Sequence, residues 1–255
     1  MSFFHIIILS IVEGVTEFLP VSSTGHLMIA AQLLGIDAST FLSTLIIALQ
    51  LGAIGAVVFL YGKDLLTDRA LMRRLIYATI PTAIIGVIVY PFLGYLLTHA
   101  LIPIIALVLG GIIMILVEIH VRHIRARDIV QEITPRQSIA LGFFQAIAFI
   151  PGVSRSASTI IGGLLVGVER VTITRFSFLM AVPLMVIATL YDLAHVSWSF
   201  SGNEWSMLGV GMLIAGLVAY GAMKLLLAFV ARYSFIPFGV YRIIFALCMF
   251  VFWYM

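Results

Sequence analysis

Charge is what this sequence has least of: 10% of its 255 residues are Asp, Glu, Lys or Arg, against about 25% in an ordinary soluble domain. Apolar residues make up 63% and the mean hydropathy is +1.21, which excludes a soluble enzyme. The one cysteine, Cys248, has no disulfide partner within the chain and no second thiol for a zinc site. Residues 1–62 contain no Lys or Arg, so the N-terminus lacks the basic region of a cleaved secretory signal and reads as part of the mature fold. The basic residues that follow are scattered singly among apolar runs, which argues against a nucleic-acid-binding face. At about 20 residues per crossing, the length suits one bundle of six or seven spans and leaves no room for a second, soluble domain.

What charge there is carries topology. Lys63, Arg69, Arg73 and Arg74 are followed by 47 residues with no Lys or Arg; after Arg175 another 48 pass before Lys224. Each empty stretch holds two spans and a short turn, so each leaves the basic side and returns to it. The positive-inside rule puts that side, including RHIRARD at 122–128, in the cytoplasm, with both termini outside. Expected spans run over roughly 41–61, 75–92, 102–121, 172–192, 207–230 and 237–255, with Trp198, Trp205, Trp253 and Tyr254 in an outer aromatic belt.

One segment breaks this pattern. Arg136 and Arg170 lie on the same side, yet the 33 residues between them are too few for two full spans. The segment is apolar at both ends and polar at PGVSRSAS, which reads as a re-entrant helix hairpin over 137–169 broken at Pro151–Gly152. Residues 3–34 repeat the design around LPVSSTGH. EFLPVSST at 17–24 resembles AFIPGVSR at 148–155, with Pro20 matching Pro151 at an offset of 131, and Tyr61 matches Tyr191 at 130. The expected fold is therefore an all-α membrane protein in a single domain: six transmembrane helices plus two re-entrant hairpins. They form an inverted-topology repeat, one half about 1–121 and the other about 136–255.

Ionisable side chains inside apolar segments cost about 2.5–3.5 kcal/mol on insertion scales, so they point to function. Glu13, Glu17, His26 and Arg155 qualify. Glu13 and Glu17, four apart on a helix, put like charges on one face; a raised pKa, a divalent cation or a nearby Arg must relieve the repulsion. Arg155 belongs to the second break, and in an inverted repeat the two breaks meet near the midplane. Hydroxyls surround both: Thr16, Ser22, Ser23 and Thr24 in the first, Ser154, Ser156, Ser158 and Thr159 in the second. New helices starting near Ser23 and Ser156 add their free N–H groups, which together with the guanidinium suit a phosphate. A bound Mg²⁺ or Ca²⁺ would bridge carboxylate and phosphate oxygens, and His26 could move a proton. The other histidines and Glu118 read as interfacial, paired or solvated.

EGVTEFLPVSSTGH at 13–26 and PGVSRSAST at 151–159 resemble the two signature motifs of the undecaprenyl-diphosphate phosphatase family, also called the bacitracin-resistance family. QLGAIGAVV at 50–58, FSFLMAVP at 176–183 and SFIPFGVYR at 234–242 extend the likeness nearly end to end. The resemblance implies a multi-pass enzyme of the bacterial cytoplasmic (inner) membrane that hydrolyses undecaprenyl diphosphate to undecaprenyl phosphate and inorganic phosphate. Such an enzyme recycles the carrier lipid of peptidoglycan synthesis and confers bacitracin resistance. It implies a divalent metal ion on Glu17 and Glu13, with Glu17 foremost, and catalytic roles for both. It makes Ser23 the nucleophile or the neighbour of an attacking water, His26 its acid/base partner, and Arg155 a diphosphate clamp assisted by Ser22, Thr24, Ser154, Ser156 and Thr159. The family often has Gly-Ala after the SRS triplet, where this chain has Ala157-Ser158. Expected partners are a polyprenyl diphosphate lipid and the bilayer, without nucleic acid; a homodimer is allowed. The site is expected to open outward. A transporter or flippase for a phosphorylated lipid or anion is the competing expectation, since broken helices in inverted repeats also build transporters.

Overall fold

The computed structural model describes residues 1–99, 101–121, 132–195 and 200–254. The basic run RHIRARD, with Arg122, Arg125 and Arg127, and the expected belt residue Trp198 lie outside the described residues.

Helix starts follow the capping residues. Ser2 closes a capping box with His5, and α1 runs over Phe3–Thr16. A turn through Pro20 leads to Ser22, and α2 follows at Ser23–Leu33. Ser39 caps α3 (Thr40–Thr67), and Asp68 caps α4 (Arg69–Thr98) by accepting from the N–H groups of Ala70 and Leu71. α5 is Leu101–Val121. A Thr134–Gln137 capping box with Pro135 at the first position starts α6 (Pro135–Ala146), and a short 3₁₀ turn, Ile147–Phe149, ends it. α7 (Arg155–Leu165), α8 (Arg170–His195), α9 (Gly202–Val230) and α10 (Ile236–Tyr254) complete the chain.

Helices are the regular elements of the described residues, and α3, α4, α5, α8, α9 and α10 are long and apolar enough to cross a membrane. The expected spans fall inside these helices, except that the last, 237–255, runs one residue past α10 to a position outside the described residues. α4 starts at Arg69, six residues earlier than the hydropathy pattern suggests, because Asp68 supplies a cap that apolarity cannot reveal. Large apolar side chains such as Phe59, Leu66 and Leu225 face outward, as lipid contact requires.

Two short helices followed by three long ones occur twice, and the halves interlock. α1 and α2 pack as a hairpin, as do α6 and α7. The first helix of each hairpin lies against the other half's middle long helix: α1 on α9, α6 on α4. α3 meets α8, and α5 pairs with α10. A Cβ added at Gly14 would come within 2.7 Å of the Ala215 carbonyl, and one at Gly142 within 2.2 Å of the Ala78 carbonyl. Both hairpins thus reach their partner helix through backbone close approach that only glycine permits.

The breaks correspond at an offset of 132 rather than the 131 that the prolines suggest. Ser22 and Ser154 are the only described non-glycine residues with positive φ, at 73° and 71°, and each stands directly before a helix. The difference is Gly152, an extra residue at φ +91° whose missing side chain leaves room for Pro103. A left-handed serine costs of order 1–3 kcal/mol, and its recurrence in both breaks marks them as sites.

Candidate active site

The first break leaves α1 at Glu17 and re-enters helix at Ser23, so the two side chains converge: the Ser23 hydroxyl donates to Glu17 Oε2 at 2.7 Å. The other carboxylate oxygen, Oε1, accepts from Arg155 Nη2 at 3.1 Å. Glu17 is 8% exposed, and both partners of the pair are largely sequestered. Arg155 opens α7, and three groups hold it. Its Nη1 donates to the Ser177 carbonyl of α8 at 2.9 Å, its Nη2 meets Glu17, and its plane lies 5.6 Å from the centroid of the Phe18 ring. Phe18 itself packs edge-on against Phe178 of α8, which fixes the turn after Glu17.

The second break is braced by its hydroxyls. Ser154 Oγ accepts from the Ala157 N–H, capping α7, and shares a hydrogen bond of 3.0 Å with Ser156. Ser156 Oγ donates to the Leu19 carbonyl of the first break at 2.8 Å, a second link between the halves. Thr159 Oγ1 reaches Ser177 Oγ at 2.6 Å and the Arg155 carbonyl at 3.0 Å. Ser158, the departure from the family pattern, donates to the Arg155 carbonyl at 3.1 Å. These serines and Thr159 are therefore engaged in shaping the break that presents Arg155.

Glu13 lies one turn before Glu17, fully buried, and neither of its carboxylate oxygens has a hydrogen-bond partner. Buried carboxylates without partners are rare and costly. Among the described residues, no three His, Cys, Asp or Glu side chains form a ready metal cage. Ser22 contributes its left-handed backbone and a buried side chain; Thr24 stands half-buried in the first turn of α2.

His26 is placed differently from expectation. Its Nδ1 pairs with the Ser22 carbonyl at 2.8 Å and its Nε2 with the Tyr241 hydroxyl at 2.7 Å. The imidazole stacks on Phe245 with centroids 3.9 Å apart. Neither nitrogen meets Ser23 or Glu17, because α10 offers a hydroxyl and a flat ring to a histidine on the outer side of α2. Sequence reasoning missed Tyr241, Phe245, Ser177 and Arg242. Ser177 lies within the quoted FSFLMAVP stretch, where its serine was the available signal.

Arg242, within the stretch SFIPFGVYR, is wholly buried in α10 and bonded to carbonyls of α5 and of both breaks. Glu118 proves paired: Arg170 grips it through Nε and Nη2, and the Phe235 N–H donates to it at 2.9 Å.

These features define a polytopic membrane protein whose polar centre is built where two interrupted helical hairpins meet. The profile of the bacitracin resistance protein BacA family matches residues 6–248, and the chain belongs to that family. It is 43% identical over 256 aligned positions, covering both chains entirely, to an undecaprenyl-diphosphatase of Sulfurihydrogenibium sp. (strain YO3AOP1). It is 45% identical to the undecaprenyl-diphosphatase of Wolinella succinogenes, covering 96% of this chain and 95% of that one. Identity to the Aquifex aeolicus undecaprenyl-diphosphatase is 43%, with 97% of each chain covered.

Proposed function

We propose that this protein hydrolyses undecaprenyl diphosphate to undecaprenyl phosphate and inorganic phosphate, recycling the carrier lipid for peptidoglycan synthesis and conferring bacitracin resistance. The observation that carries the reading is Glu17, held between a serine of one break and an arginine of the other. A carboxylate on a hydroxyl is placed to accept its proton, and a guanidinium beside them is placed to hold phosphate oxygens. Binding alone needs no serine hydroxyl on a carboxylate, so the arrangement favours hydrolysis over transport.

In the proposed reaction, Arg155 exchanges its bond to Glu17 for the arriving diphosphate. Ser23 Oγ attacks the terminal phosphorus while Glu17 accepts the hydroxyl proton, and the bridging oxygen leaves with undecaprenyl phosphate. Water then releases inorganic phosphate and regenerates Ser23. Glu17, rather than His26, takes the proton because it already bonds the hydroxyl; His26 instead ties the Ser22 carbonyl to α10. Ser22, Thr24, Ser154, Ser156 and Thr159 line or shape the diphosphate cradle.

The orphaned oxygens of Glu13 fit a divalent cation, since hard carboxylate oxygens suit Mg²⁺ or Ca²⁺. Glu13 and Glu17 would hold it, and the ion would supply charge neutralisation for the phosphoryl group.

In the proposed topology the two hairpins are re-entrant from opposite leaflets, in halves of about 1–121 and 136–255. The charge distribution supports both termini and the opening of the site lying on the outer side of the inner membrane. The test is product analysis. Purified protein in detergent with Mg²⁺ or Ca²⁺ should convert C55 and C15 prenyl diphosphates to prenyl monophosphate and phosphate in equal amounts. No release would overturn the hydrolase, and transport of lipid by a protein that hydrolyses nothing would favour the transporter.

A further inference from the structure

Arg242 is among the largest fully buried side chains of the protein, and it has no acid. Its guanidinium donates instead to four backbone carbonyls. Two belong to α5, Leu107 at 3.4 Å and Ala106 at 3.3 Å; one is Pro20 in the first break, at 3.3 Å; the last is Gly152 in the second, at 3.0 Å. Among the described residues no carboxylate lies within ion-pair distance of it. A buried cation without counter-charge is costly, and an apolar side chain of similar volume would pack there at lower cost. What the guanidinium adds is a rigid, planar set of donors able to bind several carbonyls at once.

The carbonyls it joins are equivalent. Pro20 stands two residues before the left-handed Ser22, and Gly152 two residues before the left-handed Ser154. One side chain thus grips the same point of each break. Ser23 and Arg155 open the helices that follow, and they flank Glu17. The grip is tight on its far side as well: a Cβ added at Gly110 would lie 2.4 Å from Arg242 Nη2.

We propose that Arg242 is a positioning residue that fastens the two breaks to each other and sets the spacing of Glu17, Ser23 and Arg155. Only the kinetic readout rests on the hydrolase reading. The tie predicts a specific response to two independent changes. Arg242→Lys keeps the charge but cannot span four carbonyls, and Gly110→Ala keeps the arginine but displaces its guanidinium.

The experiment uses the full chain with Cys248→Ser, spin-labelled at Leu33→Cys and Leu165→Cys, exposed positions near the ends of α2 and α7. Electron–electron resonance should give one narrow distance in the parent and a broadened or shifted distribution in both variants. Without labels, each variant should lose at least about ten-fold in kcat, as sub-ångström to ångström misplacement does, with KM within about three-fold. An unchanged distance distribution in Gly110→Ala, or a loss of rate that only follows the folded fraction, overturns the proposal. If Arg242→Lys fails to fold, Gly110→Ala decides alone. If the parent itself releases no phosphate, the hydrolase reading fails while the distance measurement still decides whether the tie exists.

Discussion

Arg155 and Glu17, 138 residues apart in sequence, meet in a buried ion pair of 3.1 Å that joins the second break to the first. The pair is worth little as a stabiliser by itself, since burying two charges offsets most of their attraction. Its value is positional. Glu17 receives a serine on its other oxygen, and Arg155 stands where an anion displacing the carboxylate would find a guanidinium already oriented by Ser177 and Phe18.

Ser23 and His26 separate two chemistries. With Ser23 as nucleophile, Ser23→Ala should lower kcat by at least about 10³-fold. Tyr241→Phe, which removes only the outer bond of His26, should stay within about ten-fold of wild type, because the reacting atoms are untouched. Steady-state phosphate release measures both. A Ser23→Ala enzyme of near-normal rate would show that water attacks directly.

The left-handed serines respond to backbone freedom more than to hydroxyl loss. Ser22→Gly should leave the thermal midpoint unchanged or raised, because glycine relieves a strain of order 1–3 kcal/mol. Ser22→Val should lower the midpoint by several degrees. Ser154→Ala should cost about 1 kcal/mol from the lost cap on α7. Thermal unfolding in detergent reads all three.

Glu13 is predicted to govern the demand for metal. Chelation should abolish turnover in the wild type, and readdition of Mg²⁺ or Ca²⁺ should restore it. Glu13→Gln should raise the half-saturating metal concentration by at least about ten-fold while leaving the fold intact, since the amide removes charge but keeps shape. Metal titration of phosphate release is the measurement. Equal metal dependence in both proteins would show that Glu13 holds no ion.

Glu118 and Arg170 should behave oppositely, as a structural pair. Arg170→Ala strands a wholly buried carboxylate, and its cost should fall toward the lower end of the 3–5 kcal/mol range, at about 3 kcal/mol, because Arg170 is partly exposed. Rate per folded molecule should stay the same. Adding Glu118→Gln should recover part of the lost stability, as unfolding of the single and double variants will show.

Much of this was legible in the sequence, because hydropathy and the spacing of basic residues are integrated over long segments. The empty stretches around 75–121 and 176–223 account for two spans each, and the 33 residues between Arg136 and Arg170, too short for two spans, point to the second break and, by its repeat at 3–34, to the first. The approach of Arg155 to the two carboxylates was legible from the repeat, which brings the two breaks together; which carboxylate it meets, Glu17, was not. The rest turns on single residues. Gly152 moves the repeat by one position, and proline matching cannot detect it because the insertion follows the proline. A lone arginine inside the expected span 237–255 does not announce its partners; that the bonds of Arg242 run to carbonyls depends on three distant segments meeting. His26 was read beside Ser23, and a spacing of three does put both on one face of α2; its imidazole goes instead to the Tyr241 hydroxyl and the Phe245 ring, partners on α10 that lie more than 200 residues away.

The most direct test of the account is a cycle over its two halves: phosphate release from C55 diphosphate by wild type, Glu17→Ala, Arg155→Ala and the double variant, each corrected for folded fraction. Residues acting as one unit should give single losses of at least about 10³-fold each, with the double variant no worse than the poorer single. Single variants within ten-fold of wild type, or losses that simply multiply, would contradict a shared centre built from both breaks.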